Sequence, residues 1–204
     1  MGELIGDLNV SRETFDRLKL YEELLLKWNP RINLVSKATL SEIWERHILD
    51  SAQLFSQADE KGMNWLDIGS GGGFPGMVVA ILSSELVPTR AITLVESDQR
   101  KCAFLRTVAR ETDCNVQVIS DRIEKINPLM ADVLSARALA DLSKLLEFAV
   151  YHLSPNGICL FPKGSSWEKE LHSAQDSWRF QYEAIKSETS DEAVILRIDE
   201  IEHA

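Results

Sequence analysis

After Gly62, short apolar runs alternate with amphipathic segments, and this alternation limits the fold more than any other feature of the sequence. Such a pattern is typical of a parallel sheet with crossover helices. The apolar runs predict strands at residues 65–68, 92–96, 116–119, 133–136 and 158–161, and the amphipathic segments predict helices that begin near Gly76, Ser97, Arg122 and Ala140. A further helix is expected from Ser165, where Ser165 and Glu168 fit a capping box, and two strands at 180–185 and 193–198 would close the sheet at one edge. The sequence therefore predicts an α/β, Rossmann-like fold with a mostly parallel, doubly wound seven-stranded sheet.

The chain before this point has a helical pattern. Between residues 11 and 28, apolar side chains recur every three or four residues, which predicts a helix that Asn29-Pro30 ends. A second helix is expected from Thr39, because Thr39 and Glu42 fit a capping box and an apolar face follows them. We therefore expect an N-terminal helical extension of residues 1–60, packed as a cap on a core domain of residues 61–204.

Composition excludes several classes of protein. With 204 residues, 45% of them hydrophobic and 26% charged, the chain matches a globular protein of one domain with an appendage. The sequence contains no run of 18 or more apolar residues, the length that a bilayer crossing requires, so no membrane association is expected. The three cysteines, Cys102, Cys114 and Cys159, are too few for a disulfide framework. We therefore expect each of them to be a small buried hydrophobic residue, and the protein to be cytoplasmic. The four histidines have no ligand spacing with the cysteines, so no metal site is expected.

The charge distribution is uneven. The net charge of −10 argues against a wholly basic surface that coats nucleic acid. The negative charge is concentrated at residues 168–204, which have four basic and ten acidic side chains, whereas residues 90–110 have five basic and two acidic ones. A local basic face in the first half of the chain is therefore compatible with the composition, and its alternative is an ordinary solvated surface.

The segment Leu66-Asp67-Ile68-Gly69-Ser70-Gly71-Gly72-Gly73-Phe74-Pro75-Gly76 lies where the first predicted strand of the sheet turns into a helix. Glycines at 69, 71 and 73 allow strained backbone angles and the close approach of a ligand at the carboxyl ends of the strands. Glu96 ends the next predicted strand, where its carboxylate can accept hydrogen bonds from both hydroxyls of a ribose. We therefore expect an adenosine cofactor here; the alternative is a turn that serves only tight strand–helix packing.

The residues around the turn distinguish between adenosine cofactors. A dinucleotide turn would have its third glycine at position 74, which is Phe74, and a P-loop would need Lys and then Ser or Thr after Gly76. Asp67 places a carboxylate where the amino group of a cofactor can be held, and this suits a zwitterionic tail better than a pyrophosphate. These features favour S-adenosylmethionine over a nicotinamide dinucleotide.

Several types of methyl-transfer chemistry have no matching residues. The chain lacks an Asn/Asp-Pro-Pro-aromatic element for an exocyclic base amine, and has Phe161-Pro162-Lys163-Gly164 in its place. No cysteine follows a proline, as attack through a pyrimidine carbon would require. Guanine N7 has a lone pair and no proton to lose, so its methylation needs only positioning. The sequence identifies no catalytic residue beyond His47 and Lys163, which are candidates by positioning alone.

Motifs along nearly the whole chain resemble those of the glucose-inhibited division protein B family. The N-terminal part is similar in Trp28-Asn29, Asn33-Leu34-Val35 and Glu45-Arg46-His47-Ile48-Leu49-Asp50-Ser51, and the turn is similar from Leu66 to Gly76. Further similarities are Arg100 with Phe104-Leu105, Arg122-Ile123-Glu124, Ser135 with Arg137-Ala138, and Lys163-Gly164. The combination is far more specific than any one of these motifs.

The resemblance implies a class I methyltransferase that uses S-adenosylmethionine to make 7-methylguanosine in 16S ribosomal RNA, at guanine 527 near the decoding centre. It places cofactor contacts at Gly69, Phe74, Ile123, Glu124 and Arg137, and the argument from the residues adds Asp67, Gly71, Gly73 and Glu96. The candidate RNA contacts are Lys27, Arg31, Arg46, His47, Arg100 and Lys163, with Arg46 on phosphate and His47 on the base. The alternatives are a structural histidine at 47, an ion-paired arginine at 137 and a surface lysine at 163.

The expected function is therefore a 16S rRNA (guanine-N7)-methyltransferase that acts by direct in-line transfer without a general base. Its expected partner is 16S rRNA or the small ribosomal subunit, and we expect a cytoplasmic monomer. The main alternative is a small-molecule S-adenosylmethionine-dependent methyltransferase, which would have an apolar pocket instead of a basic rim. A nicotinamide-dependent oxidoreductase and a non-catalytic adenosine-binding regulator of ribosome assembly are further alternatives.

Overall fold

The computed structural model describes residues 2–58 and 63–204. Its strands are β1 (Glu3–Ile5), β2 (Leu8–Val10), β3 (Asn64–Ile68), β4 (Ala91–Val95), β5 (Val116–Ile119), β6 (Ala131–Ser135), β7 (Leu153–Lys163), β8 (Trp178–Lys186) and β9 (Val194–His203). Its α-helices are α1 (Arg12–Ile32), α2 (Asp50–Gln57), α3 (Gly76–Leu86), α4 (Gln99–Glu111), α5 (Leu142–His152) and α6 (Trp167–Gln175). A 3-10 helix (Lys37–Glu42) and a π-helix (Trp44–Leu49) lead into α2, and a 3-10 turn (Ile123–Lys125) follows β5.

Seven strands form one sheet in the order β5-β4-β3-β6-β7-β9-β8. The first five of these strands are parallel to one another, and β9 runs antiparallel to both β7 and β8. The seven-stranded, mostly parallel, Rossmann-like sheet expected from the sequence is therefore confirmed. β4 and β5 are added on one side of β3, whereas β6 and β7 are added on the other, so the strand order reverses at β3. Ligands bind at such a point in doubly wound sheets.

Two apolar layers cover the sheet. Buried side chains of α3 and α4 pack on one face together with those of α1 and α2, whereas α5 and α6 pack on the other. Neighbouring residues of one strand alternate between the layers: Leu160 belongs to the first and Phe161 to the second. The N-terminal segment thus shares its core with α3 and α4. The predicted boundary between residues 60 and 61 lies outside the described residues, so the division into two domains stays a prediction.

The structure corrects the predicted end of the first helix. α1 continues past Asn29-Pro30 to Ile32, and its N-cap is Ser11. Pro30 lies in the last turn, where its ring removes only one helical hydrogen bond. The side-chain oxygen of Asn29 accepts the backbone N–H groups of Leu34 at 2.7 Å and Val35 at 2.9 Å, which stabilises the turn that follows.

Two predicted helix starts are also wrong. No α-helix begins at Thr39, because the Thr39 hydroxyl contacts His47 and Ser36 and does not cap an α-helix. Near Arg122 there is only the short 3-10 turn. The helix expected from Ser165 is present as α6, although its N-cap is Ser166 and no side-chain capping bond forms there. The β1–β2 hairpin was not predicted, because each of its strands has only three residues.

The remaining expectations concern composition. Cys102, Cys114 and Cys159 are all buried and free, as predicted. Across residues 2–58 and 63–204, no helix has the length and apolarity that a bilayer crossing requires. The same described ranges contain no cluster of three or more His, Cys, Asp or Glu side chains that could hold a metal ion.

Candidate active site

A cleft of about 420 Å³ opens at the carboxyl ends of the parallel strands. Gly69 and Gly71, after β3, form one wall, and Glu96 lies at the end of β4. Ile123 and Glu124, from the turn after β5, line the cleft as well. Five of the nine predicted cofactor contacts therefore lie together in this first cleft.

Glu96 is one of the carboxylates that line the first cleft. Its carboxylate accepts the backbone N–H of Gly71 and that of Asp98, each at 2.8 Å. These two bonds fix the side chain at the β4 terminus, and each oxygen keeps a lone pair for another donor. The geometry suits a ribose, whose two neighbouring hydroxyls would donate to the two oxygens.

The backbone of the glycine turn explains why glycine is needed there. Gly69, Gly71 and Gly73 have φ of +64°, +55° and +95°, a region that side chains disfavour. Gly73 does not line the first cleft. A Cβ at Gly73 would lie 2.6 Å from the Tyr21 hydroxyl and 2.9 Å from the Cβ of Met77, so this glycine serves packing.

Asp67 lies beneath the turn and is fully buried. Its Oδ1 accepts the Ser135 hydroxyl at 2.6 Å, and that hydroxyl in turn accepts the indole N–H of Trp65 at 2.9 Å. Burial raises the pKa of Asp67 to about 6, although the Ser135 hydrogen bond opposes the shift. Asp67 therefore supports the turn from below and does not line the first cleft.

Phe74 lies between two aromatic rings. It stacks on Tyr21 with ring centroids 5.2 Å apart and on His47 at 4.9 Å, and the Arg137 guanidinium lies 5.0 Å from its ring. The Tyr21 hydroxyl also donates to the carbonyl oxygen of Gly72. We call Tyr21, Phe74 and His47 the aromatic stack; it joins α1, the glycine turn and the π-helix.

His47 is held in this stack and points away from solvent. Its Nε2 is 2.9 Å from the Thr39 hydroxyl, and its Nδ1 is buried and has no hydrogen-bond partner among the residues that the structure describes. Burial and the charges of Arg137 and Arg46 lower its pKa to about 4, so the imidazole is neutral at pH 7. Stacking on Phe74 is therefore the role that the structure shows for His47.

A second cleft, of about 350 Å³, adjoins the first. Both clefts are lined by Ala138 and Ala140, so the segment between β6 and α5 forms their common wall. Arg137, in the same segment, also lines the second cleft, whose other walls come from Asp50, from Lys163 at the end of β7 and from the β8–β9 loop at Thr189. Arg137 therefore lies in the second cleft, whereas the sequence prediction placed it among the cofactor contacts.

Charged side chains in the second cleft are paired. Asp50 Oδ2 lies 3.5 Å from an Arg137 nitrogen, and its Oδ1 accepts the Thr189 hydroxyl at 3.0 Å. The Lys163 ammonium, which is only 9% exposed, lies 2.7 Å from Glu170. The structure therefore shows Lys163 as a half-buried residue with an ion-paired side chain.

The other candidate RNA contacts lie on the surface. Lys27 and Arg31 are exposed on the last turns of α1, and across the described residues neither forms an ion pair. Arg46 also reaches the second cleft, but its guanidinium pairs with Glu42 at 3.0 Å. Arg100 forms a two-bond contact with Asp98, at 2.7 and 3.2 Å. The structure does not bring these residues together with the first cleft.

Sequence reasoning missed Tyr21 and Thr189 as parts of this site. Tyr21 belongs to the apolar stripe of the first predicted helix, and its spacing gives no sign of the hydrogen bond to Gly72. The Glu45–Ser51 motif offers Asp50 as a residue of the cleft mouth. Thr189 comes from a distant segment, so no local motif could have joined it to Asp50.

Comparisons with known proteins extend these observations. The family model described as rRNA small subunit methyltransferase G matches residues 14–194. The chain is 58% identical over 191 residues to the ribosomal RNA small subunit methyltransferase G of Ruegeria pomeroyi, covering 94% of this chain and 93% of that protein. It is 53% identical over 192 residues to the protein of the same description from Rhodospirillum centenum, covering 94% and 87%.

Solved structures agree in fold at low sequence identity. A TehB-like SAM-dependent methyltransferase from Corynebacterium glutamicum has a TM-score of 0.58 at 13% identity, covering 89% of this chain and 98% of that one. An O-methyltransferase from Bacillus cereus, solved in complex with SAH, has a TM-score of 0.57 at 13% identity, covering 88% and 90%. These similarities confirm the class I methyltransferase fold.

Proposed function

Because this chain belongs to the rRNA small subunit methyltransferase G family, we propose that it methylates N7 of a guanine in 16S rRNA, at guanine 527. The observation that carries the proposal is a glycine turn and a ribose-accepting carboxylate in one cleft, joined to a second cleft whose lining includes charged side chains. The first cleft holds the methyl donor and the second is open to a nucleic acid. A small-molecule enzyme would instead need an enclosed apolar pocket.

S-adenosylmethionine is the cofactor, and when bound it supplies a methyl group made electrophilic by a positively charged sulfur. The residues of the first cleft fit it. Glu96 presents two carboxylate oxygens for the ribose hydroxyls, and the open backbone at Gly69 and Gly71 allows close approach. Ile123 and Glu124 lie across the cleft, where they can flank the adenine.

The side chains near the clefts support a nucleophile that needs no general base. His47 has a pKa of about 4 and a buried ring, so it is a weak and inaccessible base. The Lys163 ammonium lies 2.7 Å from the Glu170 carboxylate, so it is held in an ion pair. Guanine N7 presents a lone pair and carries no proton, so transfer of the methyl group to it would need no side chain of this protein to accept a proton.

Positioning by the protein then accounts for the rate, since well-oriented groups reach effective molarities of about 10⁵ M or more. The target base has to leave its stack, at a cost of a few kcal/mol that contacts with the RNA must offset. We propose Lys27, Arg31, Arg46 and Arg100 for phosphate contacts, with residues 1–60 acting as a helical cap on the methyltransferase domain. On this proposal a monomer in the cytoplasm carries out the reaction.

The test uses small-subunit RNA and 30S particles from cells that lack this enzyme, with methyl-labelled S-adenosylmethionine. Borohydride reduction followed by aniline cleaves RNA at 7-methylguanosine, and the cleavage site identifies the nucleotide. We expect one cleavage, at guanine 527. A label that appears on free metabolites, at another atom or at another nucleotide would overturn the proposal.

A pair of variants tests the cofactor assignment. Glu96→Gln keeps the size of the side chain but loses its charge, so we expect about tenfold weaker binding of S-adenosylhomocysteine. Glu45→Gln removes a carboxylate from the exposed surface of the π-helix and serves as the control. Equal affinities of the two variants, measured by calorimetry, would contradict the role of Glu96.

A further inference from the structure

We propose that the second cleft binds the target guanine, with Asp50 accepting hydrogen bonds from its N1–H and N2 amino group and Arg137 donating to O6. The proposal rests on the proposed function, because it concerns how the same site chooses its base. It makes Asp50 and Arg137 the residues that determine specificity for guanine.

The position of the second cleft is the first argument. It shares the wall at Ala138 and Ala140 with the first cleft, so a base in the second cleft lies next to the site of the methyl donor. Its volume of about 350 Å³ is at the lower end of the range for small-ligand sites and is enough for one base. His47 is not available for this base, because its ring is buried against Phe74.

The second argument is the order of the polar groups. The Arg137 guanidinium lies 5.0 Å from the ring of Phe74, on the glycine turn, and 3.5 Å from Asp50. Arg137 therefore stands between the glycine turn and Asp50. Along the edge of guanine, the atoms follow in the order N7, O6, N1 and N2. A guanine with N7 towards the first cleft would thus place O6 at Arg137 and its two donors at Asp50.

Both side chains are accessible enough to act. Arg137 is 20% exposed and Asp50 is 18% exposed, so they line the cleft without being sealed in the core. The Thr189 hydroxyl donates to Asp50 Oδ1 and fixes the carboxylate, while each oxygen keeps a lone pair.

The arrangement also rejects adenine. Adenine has an amino group in place of O6, which would face the Arg137 donors, and a bare lone pair at N1, which would face the Asp50 carboxylate. Both contacts are repulsive, and such mismatches give specificity by raising the energy of the wrong complex. With guanine, the carboxylate also stabilises the positive charge that reaches the base during transfer.

The experiment compares guanosine with inosine, which lacks only the N2 amino group. Small-subunit RNA is assembled by ligation with either nucleoside at the methylated position, and kcat and KM are measured for wild type and Asp50→Asn. We expect wild type to prefer guanosine by about 10- to 100-fold in kcat/KM, and Asp50→Asn to prefer it by less than about threefold. Glu45→Gln, on the neighbouring exposed surface, should keep the wild-type preference.

Two dissociation constants separate this role from a structural one: that of S-adenosylhomocysteine, measured by calorimetry, and that of the RNA, measured at equilibrium. In Asp50→Asn each should change by less than about threefold. Wild type that methylates inosine as fast as guanosine would overturn the proposal, and this result does not depend on whether the variant folds. A full guanosine preference in Asp50→Asn would overturn it as well. Failure of the proposed function is distinct, because wild type would then give no 7-methylguanosine even with guanosine RNA.

Discussion

The hydroxyl of Tyr21 offers a sharp test of how the glycine turn is held. Tyr21→Phe removes only the donor to the Gly72 carbonyl, while the ring remains stacked on Phe74. Tyr21 is fully buried and Gly72 is buried too, so water cannot replace the lost bond. An unsatisfied buried carbonyl costs about 1–3 kcal/mol. For a chain of this length, about 2 kcal/mol lowers Tm by about 4–8 °C.

The same substitution should weaken cofactor binding. Without the hydroxyl, the turn is less rigid, and binding has to order it first. We expect the Kd for S-adenosylhomocysteine to rise by about three- to tenfold, measured by calorimetry well below Tm. Tyr151→Phe is the matched control, because it removes the same atom from a side chain that is 50% exposed. A Tm shift for Tyr21→Phe no larger than that of the control would refute the reasoning.

Three further substitutions test other contacts. Burial raises the pKa of Asp67 to about 6, so the folded state binds more protons than the unfolded state and the free energy of unfolding falls as pH rises from about 4 to 6. Asp67→Asn should remove about 3 kcal/mol of this fall. Urea unfolding that gives the variant the same pH dependence as wild type across that range would contradict this role. Gly73→Ala, at φ +95° and with two close contacts, should cost at least about 2 kcal/mol in urea unfolding, whereas Gly164→Ala, with open space around its Cβ, should change stability by less than about 0.5 kcal/mol. Asn29→Ala leaves two backbone N–H groups unpaired and should cost about 2–4 kcal/mol; a loss under about 0.5 kcal/mol in thermal melting would exclude that role.

The core of the sheet was predictable because its signals are local. The ends of the runs at 65–68, 92–96, 116–119 and 133–136 lie within two residues of the ends of β3, β4, β5 and β6. A strand that is buried on both faces has to be continuously apolar, and this constraint is visible without tertiary information. The glycine turn was predictable for the same reason, since positive φ at three positions requires glycine.

The N-terminal segment was predicted less well, because its local signals compete with tertiary contacts. A Pro in the last turn of α1 costs one hydrogen bond, and the Asn29 side chain stabilises the following backbone. Between α1 and α2 the chain forms a 3-10 helix and a π-helix. This irregular path places the His47 ring on Phe74 at 4.9 Å, an arrangement that helical periodicity alone cannot predict.

The second cleft depends on contacts between residues that are far apart in sequence. Asp50 follows the π-helix, Arg137 follows β6 and Thr189 lies between β8 and β9. The Glu188 backbone N–H donates to the Gln53 side chain at 2.8 Å, which holds the β8–β9 loop against α2. The acidic C-terminal region, which has no recognisable motif, therefore supplies one wall of a site whose other walls come from the N-terminal segment and the sheet. Because β9 is antiparallel to β7, its preceding loop returns to the edge where the parallel strands end, and this topology brings the wall to the cofactor side.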